Sequence, residues 1–298
     1  MLPRRFALLL MTCAGVVGAP AWALAEGVLF PGTRPLGTGG AMRAIATGDS
    51  GPQLNPSGIS LIRTYQVEGA YQYSKTAGSN DARFSAVDST SALNLGGALN
   101  YTYHHESVAG VSKGSHLVGG SLSFPFADKI FAGASTKYVH FTDRAGTTQS
   151  GFTYDAGLTV RPVSLLSIGA VGYNLRDFGT GWLPRGVGGG IAVLPMPTLL
   201  FVFDTVYEKV YADSSPTDSS RTSTMHYMGG GELSFSSAGA IRAGGGWNGL
   251  TKNGYISAGF SALSAEIGAL DVGLRQDVSG ESKSTIFGIS GRLFVPSI

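Results

Sequence analysis

The chain has 298 residues, of which 43% are hydrophobic and 13% charged, with a formal net charge of +2. So even a balance leaves no basic footprint for nucleic acid, and so much apolar content is not the profile of a disordered linker. Glycine occupies 45 positions, about twice its usual share.

At the start, Arg4 and Arg5 precede an apolar stretch from Phe6 to about Ala19, followed by Ala23-Leu24-Ala25. This is the pattern of a secretory signal over 1–25, with a mature chain beginning near Glu26. Cys13, the only cysteine, lies inside it, so the mature chain is expected to carry no thiol, disulfide or cysteine metal site. Thr12 is a poor residue before a lipidated cysteine. Residues 26–62 lack strand periodicity and are rich in glycine, proline and small side chains. A short helix is expected around 41–47 and a turn at Asn55-Pro56. Such a segment is too long for a connection and too short for a core of its own, so it belongs inside something larger.

From Tyr65 onward the chain reads in period two. Tyr65, Val67, Gly69, Tyr71 and Tyr73 alternate with Gln66, Glu68, Ala70, Gln72 and Ser74. One face suits lipid and the other water. The periodicity predicts strands at 65–74, 83–88, 92–104, 115–126, 130–141, 151–161, 165–174, 186–194, 198–208, 225–236, 240–247, 254–262, 266–276 and 284–295. Connections of about three residues alternate with long ones, such as 75–82, 105–114 and 209–224. An even number of alternating strands, short turns on one side and longer loops on the other describes a transmembrane antiparallel β-barrel of about 14 strands over 63–298. A soluble sandwich alternates too, but nothing forces its connections into such an order. The apolar run 191–206 contains Pro195 and Pro197, which would break a spanning helix. With both termini periplasmic, 209–224 becomes the longest external loop. Tyr73, Tyr103, Tyr138, Phe152, Tyr227, Trp247, Tyr255 and Phe287 near strand ends suit aromatic girdles.

The stretch Arg34-Pro35-Leu36-Gly37-Thr38-Gly39-Gly40-Ala41, continuing through Asp49 to Asn55-Pro56-Ser57-Gly58, resembles the N-terminal signature of the FadL superfamily. Thr38 stands where that pattern has methionine, and Ser57 where it has alanine. The resemblance covers about twenty-five residues. It implies a fourteen-stranded outer-membrane barrel of a Gram-negative cell whose leading segment folds into the lumen as a plug. It also implies passive uptake of hydrophobic molecules such as long-chain fatty acids, and lateral exit through the wall. The external loops are shorter than those of fatty acid channels. The C-terminus ends Phe294-Val295-Pro296-Ser297-Ile298 rather than in an aromatic residue. The superfamily also holds PorV-type barrels, which serve secretion, so a scaffold with protein partners at its external loops is the alternative, and a porin for polar solutes a third.

Alternation places Glu232, Arg242, Asp271, Arg275 and Arg292 on the lumen face. They are candidates for meeting a substrate headgroup, or else for pairing with each other and with Arg34, Arg43 and Asp49. Glycine triplets at 188–190, 229–231 and 244–246 either kink the wall into a lateral gap or let the plug approach it closely. His104, His105 and Glu106 could hold a metal but have no further ligand nearby in sequence. No G-x-S-x-G occurs, Gly37-x-Gly39 follows no strand, and no serine–histidine pair is singled out, so no enzyme and no cofactor is expected. The partners expected are outer-membrane lipid and a hydrophobic small molecule, with no nucleic acid.

Overall fold

The computed structural model describes residues 31–75, 78–91, 95–108, 111–142, 148–177, 183–211, 221–235, 238–264, 267–280 and 283–295. The expected signal, the tip of the longest external loop and the last three residues lie outside these. Fourteen strands follow one another: β1 Tyr65–Ser74, β2 Ser79–Asp88, β3 Gly96–Val108, β4 Val111–Ala127, β5 Ile130–Thr142, β6 Thr148–Val163 and β7 Leu166–Tyr173. Then come β8 Arg185–Met196, β9 Leu199–Tyr211, β10 Arg221–Ser234, β11 Gly239–Asn248, β12 Asn253–Ser264, β13 Gly268–Asp277 and β14 Thr285–Phe294. Each pairs antiparallel with its neighbours in sequence, and β1 pairs with β14 to close the barrel. No edge is left unpaired, which is what a backbone must achieve in hydrocarbon. Among the described residues no helix is long and apolar enough to cross a membrane.

Parity does the sorting. On β1, Gln66, Glu68 and Ser74 are buried while Tyr71 and Tyr73 are exposed. The partners of Tyr71 and Tyr73 on β14, Ile289 and Phe287, are exposed as well. Around the wall, Phe84, Leu99, Val118, Leu122, Phe203, Ile256 and Leu274 stand outside, and Ser85, Asn100, Thr102, Ser121, Ser135 and Ser261 are buried inside. This is a sheet turned apolar side out, stable only with lipid against it. Of the expected girdle residues, Tyr255 does not fit. It faces inward and donates from its hydroxyl to the Gly39 carbonyl at 2.8 Å.

The expected alternation of short and long connections is lost on both sides of β11, where 235–238 and 249–252 are equally long, and is reversed around β3. β2 ends at Asp88 and β3 begins only at Gly96, whereas β3 and β4 remain paired out to Val108↔Val111. At the end of the barrel where the chain enters β1, the longer connection has work to do. Ser89 Oγ accepts from the Thr64 amide at 3.0 Å and donates to the Ile62 carbonyl at 2.6 Å, while Arg63 donates to the Thr90 carbonyl at 2.6 Å. These bonds hold residues 62–64 against the rim where the chain enters β1.

Residues 33–61 lie within the barrel. They form α1 Thr33–Gly37, a 3₁₀ turn Arg43–Ile45, a second at Gly48–Ser50, α2 Gly51–Leu54 and a 3₁₀ helix Pro56–Leu61. Helical structure therefore starts earlier than the expected 41–47. Ala41, Met42, Ala44, Ala46 and Leu54 pack on Ala192, Leu200 and Val202 of the wall.

Candidate functional site

Glycine sets how closely the inner segment meets the wall. Gly39 has φ +75°, and a Cβ there would come within 2.6 Å of the Gly245 carbonyl oxygen and 2.8 Å of that of Gly229. Only glycine accepts both that conformation and that approach. The three wall triplets serve the same contact. A Cβ on Gly188 would meet Arg43 at 2.9 Å, one on Gly230 would meet the Thr38 carbonyl at 2.7 Å, and one on Gly244 would meet the Gly39 amide at 2.5 Å. Pairing runs unbroken through all three triplets. The register shifts fall elsewhere, at Pro125/Ala127, Val160/Val163 and Val193/Met196. Of the two readings of these glycines, the pairing gives no lateral gap at them, and close packing of the inner segment is what they serve.

The motif residues are joined by hydrogen bonds. Asn55 Oδ1 accepts from the Ser57 amide at 3.2 Å and from Ser57 Oγ at 2.7 Å, capping the 3₁₀ helix Pro56–Leu61. Asn55 Nδ2 donates to the Arg43 carbonyl at 2.9 Å and to Thr159 Oγ1 of β6 at 3.2 Å. Arg43 is the centre of a second cluster. Its amide, its Nη1 and the Met42 amide all donate to Asp204 Oδ2 of β9, at 2.8, 3.0 and 2.8 Å. Arg43 Nε donates to the Tyr173 hydroxyl at 2.8 Å, and that hydroxyl donates to the Leu54 carbonyl at 2.5 Å. Burial opposes the charge on Arg43, but Tyr173 and Asp204 outweigh it and raise its pKa above the ordinary arginine value.

Four of the five predicted site residues meet in one chain of opposite charges. Arg34 of α1 grips Glu232 of β10 with two bonds, Nε–Oε2 at 2.8 Å and Nη2–Oε1 at 2.7 Å. Glu232 also accepts from Arg242 of β11 at 2.5 Å, and Arg242 reaches Asp271 of β13 at 3.0 Å. Asp271 accepts from Arg292 of β14 at 3.0 Å and from Ser261 Oγ of β12. Arg292 continues to Glu68 of β1 at 3.0 Å, Glu68 lies 3.9 Å from Arg83 of β2, and Arg83 donates to Asp49 at 2.7 Å. The chain thus begins and ends on the inner segment, at Arg34 and Asp49. Burial opposes the Arg34 charge, yet Glu232 holds its pKa above the ordinary arginine value. Arg275 stands apart, 3.3 Å from Asp277 and with its guanidinium 3.8 Å from the Tyr255 ring centroid. The geometry is that of mutual pairing, the second of the two sequence readings. Buried pairs of this kind specify position more than they add stability.

Above this polar layer is an apolar one that the sequence reading missed. Leu117 of β4 and Val139 of β5 are direct cross-strand partners, Phe141 of β5 stands beside them, and all three face inward. Leu183, from the connection between β7 and β8, packs on them, and all four are at most 2% exposed. Asn174 places that connection. Its amide donates to Asp155 Oδ1 at 2.9 Å, its Nδ2 to the Pro184 carbonyl at 2.9 Å, and its Oδ1 accepts from Lys137 at 2.8 Å. Val206 and Val210 of β9 are also buried and inward. Parity could have found the strand members, since Leu117 and Val139 fall on the polar face of their strands.

His104 and His105, neighbours on β3, point to opposite faces. His104 Nδ1 lies 2.7 Å from Asp81 inside, while the His105 ring stacks on Tyr103, with centroids 6.4 Å apart. They cannot share one metal ion, and among the described residues no group of metal-binding side chains occurs.

No family model matches the chain, and no curated protein is similar to it in sequence. Solved structures are similar in architecture. The CymD monoaromatic hydrocarbon channel superposes with a TM-score of 0.70 at 13% identity, over 89% of this chain and 98% of that one. The Ralstonia pickettii toluene transporter TbuX gives 0.68 at 13% identity, again over 89% and 98%. A Pseudomonas aeruginosa FadL homologue gives 0.60 at 10% identity, over 88% and 98%. At such identities the likeness is one of fold, and this chain has the fourteen-stranded barrel fold of these FadL-type channels.

Proposed function

We propose that the protein is an outer-membrane channel for passive uptake of small, uncharged hydrophobic molecules, with residues 26–62 acting as its plug. The observation that carries this reading is the buried inward-facing cluster Leu117, Val139, Phe141 and Leu183. A lumen built for sugars or ions has polar groups there. These side chains are packed on one another, so a solute that gains by leaving water enters this layer by displacing Leu183. Structural neighbours named for toluene and other monoaromatic hydrocarbons support the same class.

The charge chain bears on which solute. A fatty acid carboxylate needs a cation to meet it, but Arg34, Arg43, Arg83, Arg242 and Arg292 are each engaged with carboxylates of the barrel or segment. An uncharged aromatic or aliphatic solute needs none. This favours a hydrocarbon over the long-chain fatty acid that the sequence resemblance implies. No energy-coupling motif is evident in the sequence, so the solute moves down its gradient.

The test is uptake into vesicles holding the purified full-length protein. Labelled toluene should enter faster than into empty vesicles, Phe141→Asp should slow it several-fold, and labelled palmitate should enter no faster than into empty vesicles. Swelling in sugars with no toluene uptake would instead make the barrel a polar porin.

A further inference from the structure

The outer face of the wall is almost free of charge. Among the described residues, the charged positions that parity places outside on the strands are Asp88, at the periplasmic end of β2, and Arg185, Lys209 and Arg221, at the other end of β8, β9 and β10. Arg185 and Lys209 are direct cross-strand partners, and both are exposed. Like charges opposite each other in a ladder repel and destabilise it. Among the described residues neither pairs with a carboxylate, although carboxylates compensate the lumen cations one by one. Two cations held together without a counter-charge form half of an anion site.

Their height identifies the other half. Lys209 follows Leu199, the first residue of β9, by ten positions. At ~3.3 Å per residue and a tilt of about 40° it stands about 25 Å up the wall, the height of the apolar band of such barrels. Directly below on the same face is Tyr207, whose hydroxyl meets Ser223 Oγ of β10 at 2.8 Å. Ser223 is the partner of Lys209 on the other side. The patch therefore has two cations and two hydroxyls at the boundary between hydrocarbon and headgroups, where aromatic rings of barrels collect. We propose that Arg185 and Lys209, with Ser223 and Tyr207, bind a phosphate of the phosphorylated glucosamine disaccharide of the outer-leaflet glycolipid, lipid A. A phosphate supplies the missing negative charge. Arg185 meets it with a planar fork and Lys209 with a point charge. The inference rests on the outer-membrane reading, since that orientation puts these strand ends outside.

The test uses full-length protein in mild detergent and fluorescent bis-phosphorylated lipid A. Wild type should bind it about tenfold more tightly than dephosphorylated lipid A or phosphatidylglycerol, and R185Q/K209Q should lose that margin. R185E places opposite charges across the pair, so it should raise the unfolding temperature while lowering lipid A affinity. That variant separates lost binding from lost fold. Equal binding of phosphorylated and dephosphorylated lipid A, unchanged affinity in R185Q/K209Q, or equally tight phosphatidylglycerol would overturn the assignment. So would an R185E barrel less stable than wild type. Toluene uptake by R185Q/K209Q reads the channel separately. If uptake persists while lipid A selectivity is absent, this inference fails and the transport reading stands.

Discussion

Asp204 is the residue on which the seating of the inner segment most depends, and Asp204→Asn isolates its charge. One carboxylate oxygen takes three donors, the amides of Met42 and Arg43 and the Arg43 guanidinium, and its side chain is 0% exposed, against 1% for Arg43. The amide keeps the shape of the carboxylate and one acceptor. It leaves a buried guanidinium without its counter-charge, a loss that costs about 3–5 kcal/mol where buried pairs are broken from one side. At about 1.4 kcal/mol per decade, that is roughly a hundred- to a few-thousand-fold rise in the population with the segment unseated. Hydrogen exchange followed by mass spectrometry reads it directly. Peptides from 31–61 should exchange faster in D204N, while those from β1 to β5 stay protected. Because Met42 and Arg43 amides still find an oxygen, the effect belongs to the charge. R43M/D204N, which removes both charges, should therefore exchange more slowly than D204N alone. Unchanged exchange across 31–61 in D204N, or no recovery in the double variant, would refute the reasoning.

Other consequences are simpler to state. Gly157→Ala puts a Cβ 1.9 Å from Asn55 Oδ1. It should loosen the Pro56–Leu61 helix by about 1–3 kcal/mol, seen as faster exchange of its peptide with the barrel intact. Val118→Arg, on the exposed face near the middle of β4, should cost about 2–4 kcal/mol in lipid-based unfolding titrations, whereas Ser85→Ala on the inner face, whose hydroxyl makes no hydrogen bond among the described residues, should cost less than about 1 kcal/mol. Leu183→Asp buries a carboxylate among Leu117, Val139 and Phe141. It should expel that side chain and speed protease cleavage between β7 and β8 without lowering the unfolding temperature of the wall.

Period two is a local property, so the wall was readable residue by residue: β1 runs Tyr65–Ser74 and β5 starts at Ile130, as alternation alone places them. Connection lengths were less legible. β3 and β4 extend beyond their predicted outer ends, pairing out to Val108↔Val111, and there Asp81 of β2 meets His104, a long-range partner of which local hydrophobicity carries no trace. Lumen placement of Glu232, Arg242, Asp271 and Arg292 followed from parity, but the order in which they join did not. Arg34 and Glu232 are 198 positions apart, and Arg43 and Asp204 are 161 apart. Leu183 was invisible for another reason. It belongs to a connection with no period, and only the bonds of Asn174 bring it over Phe141.

The order of charges along the inner wall has a consequence for assembly. Counting formally, the wall contributes Arg83, Arg242 and Arg292 against Glu68, Glu232 and Asp271, so this row is electroneutral before the leading segment arrives. The segment brings one cation, Arg34, and one anion, Asp49, to the two ends of that row. Beside that row the segment also brings Arg43 to Asp204 of the wall, so docking carries one net positive charge into the cylinder, and a carboxylate is waiting for it. The β-sheet can close with the row already balanced, and the leader, guided at each end by a complementary tooth, then neutralises Asp204.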